Sequence, residues 1–276
     1  MARTARGFTL IEMAFTVLVL GVVAAGTIGV IAPLRDGERA ALTNKRLDVA
    51  QKAIALYAIR NGCLPCPAVP DVSSIVGGST AGRSVTAGGV VYTSATTRCL
   101  STVACYDAVA ATNTGVLPWV ELGLSEEDAT DGCGIRLRYV IAGDQTGTTS
   151  CGTTGTLHEP GGMLRIPGAG GCYPAGDISV TNRDPPASTT TTAAYVLFST
   201  GADAAFGHRA ITGVSSGDRW GQTSGDQFDN SHGGPAFFTG TTNDSANTSH
   251  FDDLLRYTTA PVIIQMCGAG ACGNPA

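Results

Sequence analysis

The sequence predicts an α+β protein in which one long N-terminal α-helix packs against an antiparallel β-sheet. Three patterns support this prediction: an apolar run at residues 8–32, an amphipathic helical pattern at residues 46–62, and short β-branched or aromatic runs after residue 63. Those runs do not alternate with helical segments, which disfavours a parallel sheet. We therefore expect the sheet to form after the helix, as one globular region.

Composition narrows the range of functions. The chain has 276 residues, of which 43% are hydrophobic and 14% are charged, and its 37 glycines and 13 prolines indicate many turns. Lys and Arg number 17 against 22 Asp and Glu, which gives a net charge of -5 without any basic run. Nucleic-acid binding depends on clustered cations, so we do not expect a nucleic-acid partner.

The N-terminus has the pattern of a membrane segment. Residues 1–7 are short and basic through Arg3 and Arg6, and residues 8–32 are apolar except for threonines and Glu12. Twenty-five helical residues are enough to span a hydrocarbon core of roughly 30 Å. Basic residues before the run predict a cytoplasmic N-terminus, with the rest of the chain outside.

Glu12 is the unusual residue of this segment, because a carboxylate in a bilayer is costly and usually functional. A secretory signal peptide, cut near the small residues at 24–26, would not need a glutamate there. An uncleaved signal anchor would not need one either. Both alternatives remain open on the apolar pattern alone.

The stretch "RGFTLIEMAFTVLVLGVVAA", residues 6–25, closely resembles the class III signal of type IV pilins and pseudopilins. This resemblance implies that a prepilin peptidase cleaves after Gly7 and methylates the new amino terminus of Phe8. It also implies that Glu12 meets the terminal amine of a neighbouring subunit during assembly. Because a paired carboxylate is tolerated in an apolar medium, Glu12 would favour one axial register.

The helix is expected to continue well beyond the apolar run. Residues 46–62 place apolar side chains at helical spacing, and Asn61–Gly62 followed by Leu64–Pro65 is a good helix stop. A helix over residues 8–61 would be about 80 Å long. Gly26, Gly29 and Pro33 are expected points of bending or melting. A separate short helix after a hinge is the alternative.

Four runs are predicted strands, at residues 88–93, 135–142, 193–199 and 261–266. In "IRLRYVIA" at 135–142, apolar residues alternate with Arg136 and Arg138, which predicts one buried face and one wet face. Glycine-, threonine- and serine-rich stretches are predicted long loops, and they lie at residues 143–156, 185–192 and 215–250.

Nine cysteines follow the membrane segment, and beyond a membrane such a set predicts disulfides. They are Cys63, Cys66, Cys99, Cys105, Cys133, Cys151, Cys172, Cys267 and Cys272. The number is odd, so at least one thiol is free or pairs between chains. Neighbours in sequence, such as Cys99 with Cys105, are candidate pairs that would staple loops. A redox or zinc role for Cys63-Leu64-Pro65-Cys66 is disfavoured, because no strand–helix junction or second close pair accompanies it.

Parts of the globular region also resemble bacterial pilin-like proteins, namely "YAIRNGCLPCPA" at 57–68, "GVLPWVELGL" at 115–124 and "DGCGIRLRY" at 131–139. Cys133 stands where these relatives usually have an aromatic residue. That departure makes Cys133 a candidate disulfide partner of Cys63 or Cys66.

Two further segments, "VLFSTGAD" at 196–203 and "FDDLLRY" at 251–257, resemble the calcium loop of the major pseudopilins. The resemblance implies a calcium ion held by the Thr200 carbonyl and by the carboxylates of Asp203, Asp252 and Asp253, which suit a cation that prefers oxygen ligands. The alternative is that these aspartates cap turns on a solvated surface.

The chain has four histidines, which show no metal-ligand spacing and are expected to be solvated: His158, His208, His232 and His250.

The resemblance to pilins and pseudopilins implies a structural subunit. An enzyme is not expected, since no nucleophile, phosphate-binding or metallohydrolase motif is present. The subunit would be a minor pilin or pseudopilin in the bacterial inner membrane, with a periplasmic C-terminal domain, later moving to a filament or the cell surface. Its expected partners are prepilin peptidase and other pilin-like subunits. A tethered periplasmic binding or catalytic domain is the alternative. The predicted organisation is a leader at 1–7, an assembly helix at 8–33, its amphipathic half at 34–62 and a β-rich domain at 63–276.

Overall fold

The structure is a computed structural model. It describes residues 9–75, 80–84, 91, 108–109, 112–142, 178–215, 226–231, 236–242 and 250–266, and within the first helix the side chains of residues 23–34 are outside this description.

A single helix, α1, extends over Leu10–Asn61. Thr9 is its N-cap, and Gly62 ends it in the left-handed conformation with φ 75°, which glycine adopts without steric cost. The predicted long helix is therefore confirmed, and the hinged alternative is wrong because the helix is continuous through Gly26, Gly29 and Pro33.

Among the described residues, no helix has an apolar stretch long enough to cross a membrane. The predicted spanning segment, residues 8–32, extends into side chains outside the description and stays a prediction.

Seven strands of the described residues form one mixed sheet, in the order β1-β2-β3-β5-β4-β6 with β7 also paired to β5. The strands are β1 Ala108–Val109, β2 Thr112–Val116, β3 Arg138–Ala142, β4 Ile178–Arg183, β5 Pro186–Ser199, β6 Ala236–Thr239 and β7 Leu254–Thr259. Two short helices, α2 Asp226–Ser231 and α3 Ala260–Met266, complete the fold.

Strand β5 is the central strand of the sheet, because it pairs with three others. Its C-terminal half is buried and lies between β3 and β7, whereas its threonine-rich N-terminal half is largely exposed and pairs with β4. These pairings are antiparallel, as predicted, but β4 and β6 pair in parallel, so the sheet is mixed.

The core lies between the C-terminal half of α1 and this sheet. Four residues at helical spacing on α1 are fully buried and share one apolar cluster with the sheet residues: Leu47, Ala50, Ile54 and Ala58. The helix thus uses one stripe of small and aliphatic side chains to bury the face of the sheet, which confirms the α+β prediction.

The expected alternation of "IRLRYVIA" is wrong, because both arginines are buried. Arg136 is 0% exposed, and Arg138 is 7% exposed. The Arg136 guanidinium donates to Glu126 Oε1 at 2.7 and 3.0 Å and to the carbonyls of Pro70 and Val72, and it lies 5.0 Å from the Trp119 ring. A charge so fully paired can be buried in a position that the sequence pattern assigns to solvent.

Other local predictions change with tertiary context. Residues 193–199 form a strand as predicted, but residues 261–266 belong to helix α3, whose second residue is Pro261, a position that suits proline. Residues 186–192, predicted as a loop, extend strand β5. The stretch 215–250 contains α2 and β6. The predicted strand at 88–93, apart from residue 91, and the predicted loop at 143–156 lie outside the described residues.

Three cysteines lie in the described residues. Cys63 and Cys66 are completely buried and disulfide-bonded, whereas Cys133 has a free thiol. The other six lie outside the description, so the pairing scheme stays a prediction.

The suggestion that Cys133 bonds Cys63 or Cys66 is wrong. The backbone of Gly132 packs against Arg39, near the middle of α1, whereas Cys63 follows the end of that helix. Arg39 and Asn61, the last residue of α1, are 22 residues apart, which corresponds to about 33 Å along the helix. A disulfide needs Cα atoms within about 7 Å.

Candidate functional site

The N-terminus of α1 is closed by a capping box between Thr9 and Glu12. The Thr9 hydroxyl accepts from the Glu12 backbone N–H at 3.4 Å, and Glu12 Oε2 accepts from the Thr9 backbone N–H at 3.4 Å. These bonds satisfy two donors that a helix start leaves unpaired, and a carboxylate in the first turn complements the helix dipole. Glu12 therefore stabilises its own helix locally. Gly7 and Phe8 lie outside the described residues.

The first turns of α1 after Glu12 present apolar side chains to solvent on every face. The large ones with at least 42% of their surface exposed are Met13, Phe15, Val17, Leu18, Val19, Leu20 and Val22, and Leu10 and Ile11 precede them. A continuous exposed apolar surface of this kind is typical of a membrane or protein contact, because water would otherwise have to solvate it.

A second candidate site lies where the loop after β5 meets the residues before β7. The Asp252 carboxylate accepts from the backbone N–H groups of Ala202 at 2.5 Å and Asp203 at 3.1 Å. Gly201 has φ 71°, and a Cβ at this position would overlap the Asp252 carboxylate. Glycine at 201 thus lets the loop wrap closely around Asp252.

His250 completes this group, which we call the Asp–His–Asp cluster: Asp203, His250 and Asp252. The His250 Nε2 atom lies 3.4 Å from Asp203 Oδ2 and 3.5 Å from Asp252 Oδ2. One ligand atom from each residue lies within 4.8 Å of the others. The three side chains are only 4–8% exposed, so the cluster is buried and not on a solvated surface. Asp203 Oδ1 does accept from the Ala205 backbone N–H at 2.9 Å, which is the turn-capping bond that the alternative predicted.

Only two of the four residues predicted to bind calcium belong to the Asp–His–Asp cluster. Asp203 and Asp252 come together as expected. Asp253 is 2% exposed and its Oδ2 accepts from the Asn230 side chain at 2.8 Å, which connects it to the end of α2 and to β6 rather than to the cluster. Thr200 is 1% exposed on the same loop as Asp203. Calcium binding by this set is untested by the geometry and stays a prediction.

Burial raises the pKa values of two carboxyl groups in this region. Burial, followed by the nearby Asp203 carboxylate, raises the pKa of Asp252 to about 6. Burial also raises the pKa of Asp253 well above its ordinary value, against the opposing effect of its bond from Asn230. Buried carboxylates of this kind are stabilised when a cation or additional donors neutralise them.

Cys133 lies beside this region. A cavity of about 180 Å³ is lined by Arg39, Thr43, Cys133, Gly201 and Asp252. Burial, with the Asp131 charge as the second cause, raises the pKa of the Cys133 thiol. The thiol is therefore less nucleophilic at neutral pH than an ordinary exposed cysteine.

The sequence prediction missed His250, which was expected to be solvated. The available signal was its position two residues before Asp252 in "HFDD", on the same segment as two predicted ligands. Spacing within one segment cannot reveal that a loop 49 residues before Asp252 supplies the other carboxylate, so this signal was weak.

Comparison with known families bears on the N-terminal site. Residues 2–28 match the family described as the prokaryotic N-terminal methylation motif. They carry a type IV pilin-like signal. Glu12 and the Thr9 cap lie within this signal, and the cleavage position expected at Gly7 lies within it too. No curated protein and no solved structure matches the chain.

Proposed function

We propose that this chain is a structural subunit, a minor pilin or pseudopilin, of a type IV pilus or a type II secretion-like filament. The pilin-like signal at residues 2–28 carries this proposal. A prepilin peptidase cleaves after Gly7 and methylates Phe8, and the subunit joins the filament from the inner membrane through α1. Its role is structural rather than catalytic.

The arrangement around α1 supports this role. The N-terminal turns expose apolar side chains, whereas the C-terminal half of the same helix packs on the sheet. One continuous helix therefore links an apolar assembly segment to a folded domain. Within a filament, Glu12 would exchange its local bonds with Thr9 for the charged amine of a neighbouring Phe8.

The first test is intact-mass and N-terminal peptide analysis of the protein from its native membrane. We expect a chain that begins at N-methylated Phe8. A chain that begins near residue 27 or retains Met1 would overturn the proposal and favour a tethered periplasmic domain.

A second test separates the charge of Glu12 from its capping role. Glutamine at this helix position keeps the capping acceptor, so Glu12→Gln preserves the helix start and removes only the charge. Glu12→Ala removes both. An unpaired charge in an apolar medium is costly, so we expect a charge that is retained in this segment to have a partner.

We expect both variants to be processed at Gly7 and both to be lost from the sheared filament fraction and from cross-linked multimers. If Glu12→Gln assembles like the wild type while Glu12→Ala does not, the carboxylate acts only as a helix cap. If both assemble normally, the glutamate has no assembly role and the tethered-domain alternative gains support.

A further inference from the structure

The donor atoms of the Asp–His–Asp cluster differ in kind from the site that the calcium-loop resemblance implies. Calcium takes six to eight oxygen ligands. Here the atom that faces both carboxylates is a nitrogen, His250 Nε2, and Asp253 accepts from Asn230 on the side of β6. The converging set is therefore one nitrogen and two carboxylates.

We propose that the Asp–His–Asp cluster binds a first-row divalent transition metal, with Zn²⁺ as its representative, in preference to Ca²⁺. Imidazole together with carboxylates suits zinc and its neighbours in the first row, whereas an oxygen-only set suits calcium. Metal binding by the cluster does not depend on the filament role, so either proposal can be wrong while the other is right.

The separations between donors fit such an ion. Zinc lies about 2.0–2.2 Å from histidine nitrogen and carboxylate oxygen, which places neighbouring ligands of a tetrahedron about 3.4 Å apart. The two separations from His250 Nε2, to Asp203 Oδ2 and to Asp252 Oδ2, are 3.4 and 3.5 Å. They are longer than a good N–H···O hydrogen bond, which is about 2.9 Å.

The surroundings hold the ligands in place. The N–H groups of Ala202 and Asp203 both donate to Asp252 Oδ2, which fixes that carboxylate as outer partners fix a metal ligand. The close approach depends on Gly201, since a Cβ there would fill the space that Asp252 occupies. The cavity of about 180 Å³ beside Asp252 has room for the waters that would complete the coordination.

The test uses the full-length chain without a histidine tag, purified in detergent and freed of metal. Thermal unfolding and calorimetric titration are measured with ZnCl₂ and with CaCl₂ at equal concentrations. The variant His250→Gln removes the imidazole and keeps a neutral side chain of similar length. Asp253→Asn is the matched control, because it changes a buried carboxylate beside the cluster that accepts from Asn230.

We expect Zn²⁺ to raise the unfolding temperature at concentrations where Ca²⁺ does not. His250→Gln should weaken zinc binding by at least the roughly 10–100-fold that loss of an outer partner causes, and Asp253→Asn should bind like the wild type. Co²⁺ should give visible absorption bands that His250→Gln lacks. The metal-free unfolding temperature of each variant shows whether it is folded.

Three results would overturn the proposal. Equal stabilisation by Ca²⁺ and Zn²⁺ would return the site to an oxygen-liganded calcium loop. Zinc binding that is unchanged in folded His250→Gln would place the ion elsewhere, for example on cysteines. A folded wild type that does not respond to either ion would show that the cluster is an internal hydrogen-bonded group.

Discussion

Glu126→Ala is expected to be strongly destabilising, although Glu126 has a nearly identical neighbour in sequence. Glu126 and Glu127 each accept from an arginine at 2.7 Å, Glu126 from Arg136 and Glu127 from Arg46. The two pairs differ in burial: Arg136 and Glu126 are 0% and 19% exposed, whereas Arg46 and Glu127 are 13% and 82% exposed. Glu127→Ala is therefore a matched control for Glu126→Ala.

The expected loss of folding stability depends on which buried groups each substitution leaves without a partner. Without Glu126, the Arg136 guanidinium keeps two carbonyl acceptors but loses its counter-charge. The Ile211 N–H loses its acceptor, and the Ser74 hydroxyl keeps only the longer of its two bonds, to the Ile211 carbonyl at 3.2 Å. Removing one member of a buried pair costs about 3–5 kcal/mol. Removing an exposed partner costs about 0.2–1 kcal/mol.

The assay is thermal unfolding of the full chain in detergent at pH 7. A loss of about 3 kcal/mol corresponds to a decrease of about 6–12 °C in the unfolding temperature for a protein of this size, whereas Glu127→Ala should change it by no more than about 2–4 °C. Equal effects of the two substitutions would refute the reasoning that burial sets the cost.

The same pair predicts a pH dependence. Burial on its own raises the pKa of Glu126, but hydrogen bonds from Ser74, Ile211 and Arg136 outweigh it, so the net pKa lies below the ordinary 4.5. A carboxyl whose pKa is lower in the folded state contributes stability above pH 4.5 and loses it as the pH falls through the folded value. The difference in stability between wild type and Glu126→Ala should therefore shrink below about pH 4.5. A difference that grows on acidification would contradict this assignment.

Two further predictions concern the second site. Gly201→Ala should lower the unfolding temperature by more than Gly123→Ala. Both glycines have a positive φ, which costs about 1–2 kcal/mol when alanine adopts it. Of the two positions, only 201 would also place the new Cβ in overlap with a side chain, that of Asp252. Equal effects would show that Asp252 moves away freely. An alkylating reagent should label Cys133 without reduction, with a rate that rises as the pH is raised above neutrality, whereas Cys63 and Cys66 should be labelled only after reduction and unfolding. Labelling of Cys63 under native conditions would contradict its assignment as a buried disulfide.

The helix was the most predictable part of the fold, because its information is local. Periodicity, the stop at Asn61–Gly62 and the signal around Glu12 all lie within a few turns of chain, and the helix observed over Leu10–Asn61 follows them closely. The capping residue Thr9 is equally local. The strand at 193–199 was also predictable, since its apolar side chains are consecutive.

The sheet edges and the cluster were not predictable in the same way. Residues 261–266 have strand-like composition, yet they form helix α3 directly after β7. Arg136 looks solvent-facing in sequence, but its acceptors come from Glu126, Pro70 and Val72, up to 66 residues away.

The sequence by itself determined the long helix, its N-terminal signal and the charge of Glu12 within an apolar run, because each depends on neighbours within one or two helical turns. Only the tertiary structure decided that His250 joins Asp203 and Asp252, and that Asp253 binds Asn230. These groups are separated by up to 49 residues of chain, and the pairing of β5 with β7 is what brings their loops together. The donor set of a site depends on that approach in space, which residue types and spacing do not encode.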